Sequence, residues 1–170
     1  SANALAEYVA GSRQAFVDMM NQRIAELGCN ESHFANPSGL NDDTQRTTAY
    51  DMAIIARACF QNPTVLEIAS ARTSTIPATA NNPNGRTFSI EHKMLLSDDS
   101  NYYPDAIAGK TGWTSQAGQT LVTYARREGR GQIAVTLKST QKTHYSDTKT
   151  ILAFCFARFQ NGNLAEHAIE

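Results

Sequence analysis

The densest group of reactive residue types in this chain is Gly109-Lys110-Thr111-Gly112-Trp113-Thr114, followed by Ala117-Gly118. A lysine, a hydroxyl and a glycine stand side by side on a predicted strand. Lysine supplies fixed positive charge beside a carboxylate or a general base. Thr111 offers a short hydroxyl to a substrate carboxylate. Gly112 removes a side chain, so an extended peptide can lie along the strand edge. A free backbone N–H on Trp113 can help hold a tetrahedral oxyanion. Together these groups suit peptide acyl transfer. As a bare triplet, Lys-Thr-Gly also fits a plain strand with a bulge glycine, so the surrounding chain has to decide.

The elements that must hold this strand can be read from periodicity and turn chemistry. Residues 4–10 form the end of a helix stopped by Gly11, and Ser12 is placed to cap the next one. Over 13–27, Phe16, Met20, Ile24 and Leu27 mark one buried stripe. A polar loop follows around Asn36-Pro37-Ser38-Gly39. Thr48 starts a third helix, with Asp51 three residues on in the manner of a capping box. Met52, Ile55, Ala56 and Cys59 share a face of it, and Asn62-Pro63 stops it. A short helix is predicted at 64–70. Thr73, Thr75 and Ile76, then Thr87, Phe88 and Ile90, suggest a hairpin joined by a turn-rich stretch at 79–85.

After a helical turn near 94–96, three strands are predicted at 106–113, 119–127 and 132–138. Their links are short, which implies antiparallel neighbours. A closing helix at 146–159 presents Ile151, Leu152, Cys155, Phe156 and Phe159 to a core. The fold class is therefore α+β, an antiparallel sheet flanked by helices, in one domain.

Bulk properties narrow the function. The chain has 170 residues, enough for one real core, and a net charge of −1. That balance gives no electrostatic case for a nucleic-acid partner. No apolar run reaches bilayer length, and no signal peptide is evident. Cys29, Cys59 and Cys155 have neither metal nor redox spacing, and Cys59 and Cys155 fall in apolar helical patterns that predict buried free thiols. His33, His92, His144 and His167 form no paired ligand motif, so no metal or other cofactor is called for.

With the surrounding residues included, the run GKTGWTSQAGQTLVTYA resembles the third motif of the penicillin-recognising serine enzymes. It is the version found in low-molecular-mass D-alanyl-D-alanine carboxypeptidases, the peptidase S11 family. Upstream, ALAEYVAGS, FVDMMN, LGCNESHFANPSGL and TTAYDMAIIARA are similar to that family's helices and loops in order. YSDTKTILAFCF resembles its closing helix. The resemblance spans about residues 4 to 160. It implies a β-lactamase/transpeptidase-like fold, peptidoglycan pentapeptide as substrate, β-lactams as ligands, and a place outside the cytoplasm. It implies that Lys110 supports the base network and substrate electrostatics, and that Thr111, Gly112 and Thr114 contact substrate. It also implies that the Trp113 N–H supplies half of the oxyanion hole.

The sequence departs from this pattern in three places. The family's Ser-x-x-Lys nucleophile motif precedes Lys-Thr-Gly, yet Ser139-Thr140-Gln141-Lys142 and Ser146-Asp147-Thr148-Lys149 both follow it. Ser146 fits better as the N-cap of the last helix. Ser1-Ala2-Asn3 has the form of the second motif, Ser-x-Asn, but stands too close to the Ala4-Leu5-Ala6-Glu7 helix. Finally, His144 occupies the position where a basic residue, often arginine, would hold the substrate carboxylate. Histidine loses its charge as pH rises, so that contact is expected to weaken with it.

The expectation is therefore that residues 1–170 form a partial domain, inactive alone, which pairs with a missing N-terminal segment or with itself. A β-lactamase or esterase on the same fold, or a non-catalytic module binding peptidoglycan peptide, are the alternatives. Glu67 and Glu91 are the middle-region acids to check for the first of these.

Overall fold

The computed structural model of the chain describes residues 1–160, with side chains through Arg158. Four helices come first: α1 (Ala2–Ala10), α2 (Arg13–Glu26), α3 (Ala49–Gln61) and α4 (Pro63–Ser70). Gly11 ends α1 in the left-handed region (φ 79°) and donates its N–H to the Glu7 carbonyl at 2.8 Å. Ser12 Oγ accepts the Ala15 N–H and so caps α2. Within α2 the fully buried residues are Val17 and Ile24. Phe16 and Met20 are half-buried, so the apolar stripe is turned toward Val17.

The capping box expected at α3 forms only in part. Thr48 Oγ1 accepts the Asp51 N–H, but the Asp51 carboxylate does not reach back. It is 3% exposed and instead accepts the Ser32 hydroxyl at 2.7 Å and the Glu31 N–H at 3.1 Å. A buried carboxylate must be paired with donors, and the 29–32 loop supplies them.

The hairpin β1 (Thr73–Ile76) and β2 (Arg86–Ser89) follows, antiparallel and exposed at all eight residues. A 3₁₀ turn (Lys93–Leu95) leads to the sheet: β3 (Ala106–Thr114), β4 (Gly118–Arg127) and β5 (Arg130–Ser139), in the order β3-β4-β5. Registers are antiparallel, with Gly109 opposite Thr123, Lys110 opposite Val122 and Thr111 opposite Leu121. Gly118 and Gly129 take positive φ in the two hairpin turns, where a side chain would strain the backbone. The entry to β3 is fixed by Arg127, which donates to Asp105 Oδ2 at 2.7 Å and to the Tyr103 hydroxyl at 3.0 Å.

Period-two alternation divides the sheet into two faces. Leu121, Ala125 and Ala134 pack with Met94, Leu95, Tyr145, Leu152 and Phe156 under α5 (His144–Gln160). The opposite face carries Val122 and Tyr124, with Phe60 of α3 stacked on Tyr124 at 5.6 Å. The architecture is the expected α+β arrangement.

Three expectations are corrected. The last helix begins at His144 rather than 146, and Ser146 lies in its first turn, donating its hydroxyl to the Thr143 carbonyl at 2.8 Å. Leu152 and Phe156 are buried, but Ile151 is exposed and Cys155 half-buried; the Phe159 side chain lies outside the described residues. Cys59 is exposed, because its face of α3 opens onto a cavity instead of a packed element, and only Cys29 is fully buried.

Candidate functional site

Among the described residues β3 is an edge strand, paired on one side only, and the site is built on that edge. Lys110 is exposed and Thr111 half-buried. Being neighbours on a strand, they project to opposite faces. Lys110 Nζ curls back to donate to the Thr111 carbonyl at 2.6 Å. Thr111 Oγ1 donates to Glu91 Oε2 across a long 3.4 Å. Gly112 has a cross-strand reason to be glycine, since a Cβ there would lie 2.5 Å from Thr120 Oγ1. Trp113 is the only tryptophan and is 65% exposed.

These four residues line a groove of about 610 Å³. The rest of its lining comes from Glu91 and Lys93 at the 3₁₀ turn, from Asn101 and Gln119, and from Gln141, Lys142, His144 and Tyr145 around the start of α5. Cationic lysines thus converge on a strand edge that can pair with an extended peptide. Thr114 does not line the groove. Its hydroxyl accepts the Ala117 N–H at 2.9 Å and serves the β3–β4 turn.

His144 is 6% exposed, the first residue of α5 rather than a solvated loop side chain. Its Nδ1 lies 2.8 Å from the Thr140 carbonyl, an acceptor only, so Nδ1 carries the proton. The ring packs on Tyr145 with centroids 4.0 Å apart. Burial pushes the Tyr145 hydroxyl above its ordinary pKa, and it donates to the Glu91 carbonyl at 3.3 Å. His92 lies under the strand, 1% exposed, and burial pushes its pKa down to about 4.

The hydroxyls of the two Ser-x-x-Lys stretches are otherwise engaged. Ser139 Oγ bonds Asp147 Oδ2 at 2.9 Å, while Lys142 lies at the groove. Ser146 is bound as described above, and Lys149 Nζ donates to the Ser100 carbonyl at 3.4 Å. Ser1 precedes α1, and Asn3 lines a separate depression with Arg13, Asn36 and Ser38. Glu67 is exposed on α4 and is not part of the groove wall. Among the described residues no cluster of His, Cys, Asp and Glu can hold a metal ion, and no helix is long and apolar enough to cross a membrane.

A second cavity, about 530 Å³, opens on the other face of the sheet. Met52, Ile55, Cys59, Val65, Ile68 and Phe88 give it an apolar lining, and Lys110 stands at its border as well as in the groove.

Comparison with known proteins matches this geometry to described relatives. A family model described as D-alanyl-D-alanine carboxypeptidase matches residues 1–141. The chain is 31% identical over 163 residues to the D-alanyl-D-alanine carboxypeptidase DacB2 of Mycobacterium tuberculosis, covering 92% of this chain and 53% of that one. It is 34% identical over 163 residues to DacA of Escherichia coli, covering 94% of this chain and 38% of that one. The crystal structure of a D-alanyl-D-alanine carboxypeptidase from M. tuberculosis superposes with a TM-score of 0.80 at 29% identity, covering 92% of this chain and 58% of that one. The chain therefore spans about two fifths to one half of the length of these curated relatives.

Proposed function

The chain belongs to the D-alanyl-D-alanine carboxypeptidase family, and from that premise we propose that it carries the substrate-seating half of a serine acyl-transfer site. The substrate is the C-terminal end of a peptidoglycan pentapeptide, and β-lactams take the same place. The observation that carries this reading is the open β3 edge, where Lys110, Thr111, Gly112 and Trp113 border one groove with His144.

In this reading the penultimate residue of the peptide pairs with the β3 edge. Thr111 donates to the terminal carboxylate, and His144, whose Nδ1–H is held by the Thr140 carbonyl, joins it only as the imidazolium, with Nε2–H as the donor. The Trp113 N–H faces the scissile carbonyl oxygen, where a donor is worth most as negative charge develops. Lys110 leaves the Thr111 carbonyl and turns to the base network. A serine hydroxyl attacks the carbonyl carbon, its proton passes to the departing amine, and terminal D-alanine leaves. Water then hydrolyses the acyl-serine. That serine comes from a Ser-x-x-Lys segment other than the two in this sequence, whose hydroxyls are committed elsewhere. The apolar cavity beside Lys110 is where we seat that segment, since it offers apolar surface that water solvates poorly. Residues 1–170 are then one partial domain of an enzyme working outside the cytoplasm.

The test is covalent labelling with a fluorescent penicillin. The 170-residue chain alone is expected to stay unlabelled, because losing the nucleophile removes the covalent route. Adding the serine-bearing segment is expected to restore labelling, and Lys110→Ala to abolish it again. Labelling of the chain alone would overturn the assignment of the nucleophile. Glu91 favours a second reading, β-lactam hydrolysis, because it places a carboxylate in the groove beside Thr111. Turnover of a chromogenic cephalosporin that is lost in Glu91→Gln would select it.

A further inference from the structure

A buried histidine that the proposed reaction does not use stands directly beneath the site strand. A Cβ added at Gly109 would lie 2.6 Å from the His92 ring and would also strike the Val122 carbonyl. Glycine at 109 is thus what lets β3 rest on the imidazole. His92 Nε2 lies 3.0 Å from Thr123 Oγ1. Thr123 is fully buried and sits opposite Gly109 across the ladder. The Thr123 hydroxyl is also within weak donating reach of Met94 Sδ, 3.8 Å away. With Nε2 as the donor, toward Thr123 and the Val122 carbonyl, His92 Nδ1 is left as a buried acceptor without a partner. An unpaired acceptor is tolerated better than an unpaired N–H.

The ring cannot easily withdraw, because its neighbours on both sides are tied down. The Lys93 N–H donates to the Tyr145 hydroxyl at 3.3 Å, and that hydroxyl donates to the Glu91 carbonyl at 3.3 Å. The Leu95 N–H donates to the carbonyl of His92 itself at 3.0 Å. One tyrosine from α5 therefore fixes residues 91 and 93, and His92 between them props the strand that carries Lys110. Tyr145 also packs on His144, so both ends of the groove rest on one buried cluster.

We propose that His92 is a positioning residue: its ring, docked on Gly109 and hydrogen-bonded to Thr123, sets where the 110–113 edge stands, and seating of peptide on that edge depends on this bond. The inference rests on the peptide-seating reading above and names what holds that edge in place. Burial keeps the ring neutral near pH 7, consistent with a single N–H on Nε2.

The test uses the whole chain with isotope labelling. It compares His92→Phe, which keeps a ring but loses the bond, with His92→Gln, whose amide N–H can take the place of Nε2–H. Thr123→Val removes the acceptor together with the weak contact to Met94 Sδ, and serves if the phenylalanine variant does not fold. Backbone amide shifts of 109–113, Trp113 emission and the Kd for a peptide ending in D-Ala-D-Ala are the readouts. His92→Phe and Thr123→Val are expected to displace the 109–113 resonances and weaken binding about fivefold, the scale of one buried hydrogen bond. His92→Gln is expected to restore both. Unchanged resonances in His92→Phe and Thr123→Val, or failure of His92→Gln to restore what they lose, would overturn the proposal. If the parent chain binds no such peptide, the seating reading falls, while displacement and rescue of the 109–113 resonances still decide the role of His92.

Discussion

The two faces of one three-stranded sheet differ sharply in how they are covered. Under α5, Leu121, Ala125, Ala134, Leu152 and Phe156 are each at most 2% exposed and form a closed core. On the other face, α3, α4 and the β1–β2 hairpin surround an open apolar cavity, with Ile68 at 70% and Phe88 at 40% exposure. The Lys-Thr-Gly strand lies between these two environments. Thr111 belongs to the packed face and Lys110 to the open one. The closed face fixes the geometry of the edge, and the open face leaves Lys110 at the border of an apolar cavity.

The largest difference between the faces should appear in core truncations. Leu121→Ala is expected to cost about 3 kcal/mol, in the range for a fully buried leucine. Ile68→Ala on the open face should cost less than about 1 kcal/mol. Urea melts of the two variants check this, and equal costs would mean that the open face is covered in solution.

Next comes acid. The folded His92 has its pKa depressed to about 4 from 6.5, so its neutral form is the stabilised one. Its contribution is complete above pH 6.5 and is lost as pH falls toward 4. That amounts to on the order of 3 kcal/mol across the window. Arg72 and His144 add to the cost of charging it, while Tyr145, Lys93 and Glu91 are the other ionisable groups around it. The difference between the parent and His92→Gln isolates its share of a pH series. Parallel curves for the two would remove the buried-histidine account.

The smallest effect is a cap on the open side. Asn62 Oδ1 accepts the Thr64 and Val65 N–H groups at the start of α4. Asn62→Ala should cost about 1 kcal/mol, read from the same melts.

Local patterns in the sequence reached far into this fold. Gly11, Ser12, Thr48 and Asn62-Pro63 mark helix boundaries through rules that act within one turn. The hairpins and the meander follow from alternation and turn residues, and Lys110, Thr111, Gly112 and Trp113 were evident because they are consecutive. What stayed hidden depends on residues far apart in the chain. Asp51 turns to Ser32 because burial demands a partner across 19 positions. Lys93 and Tyr145 meet Lys110 from distant segments with no common spacing, as do Glu91 and Lys142, which the sequence marked only for other roles. Thr114 ends the same run, and only the fold reveals that its hydroxyl closes the β3–β4 turn. Cys59 sits in a helical apolar stripe that periodicity assigns to a core, yet the cavity beside it is open.

The most direct measurement is to map amide shifts of the labelled chain while titrating two peptides that differ only in ending with D-Ala-D-Ala or L-Ala-L-Ala. The account predicts saturable shifts confined to 109–113, Glu91 and the His144–Tyr145 turn, with the D,D peptide binding more tightly. Shifts centred elsewhere, or equal response to the two peptides, would contradict it.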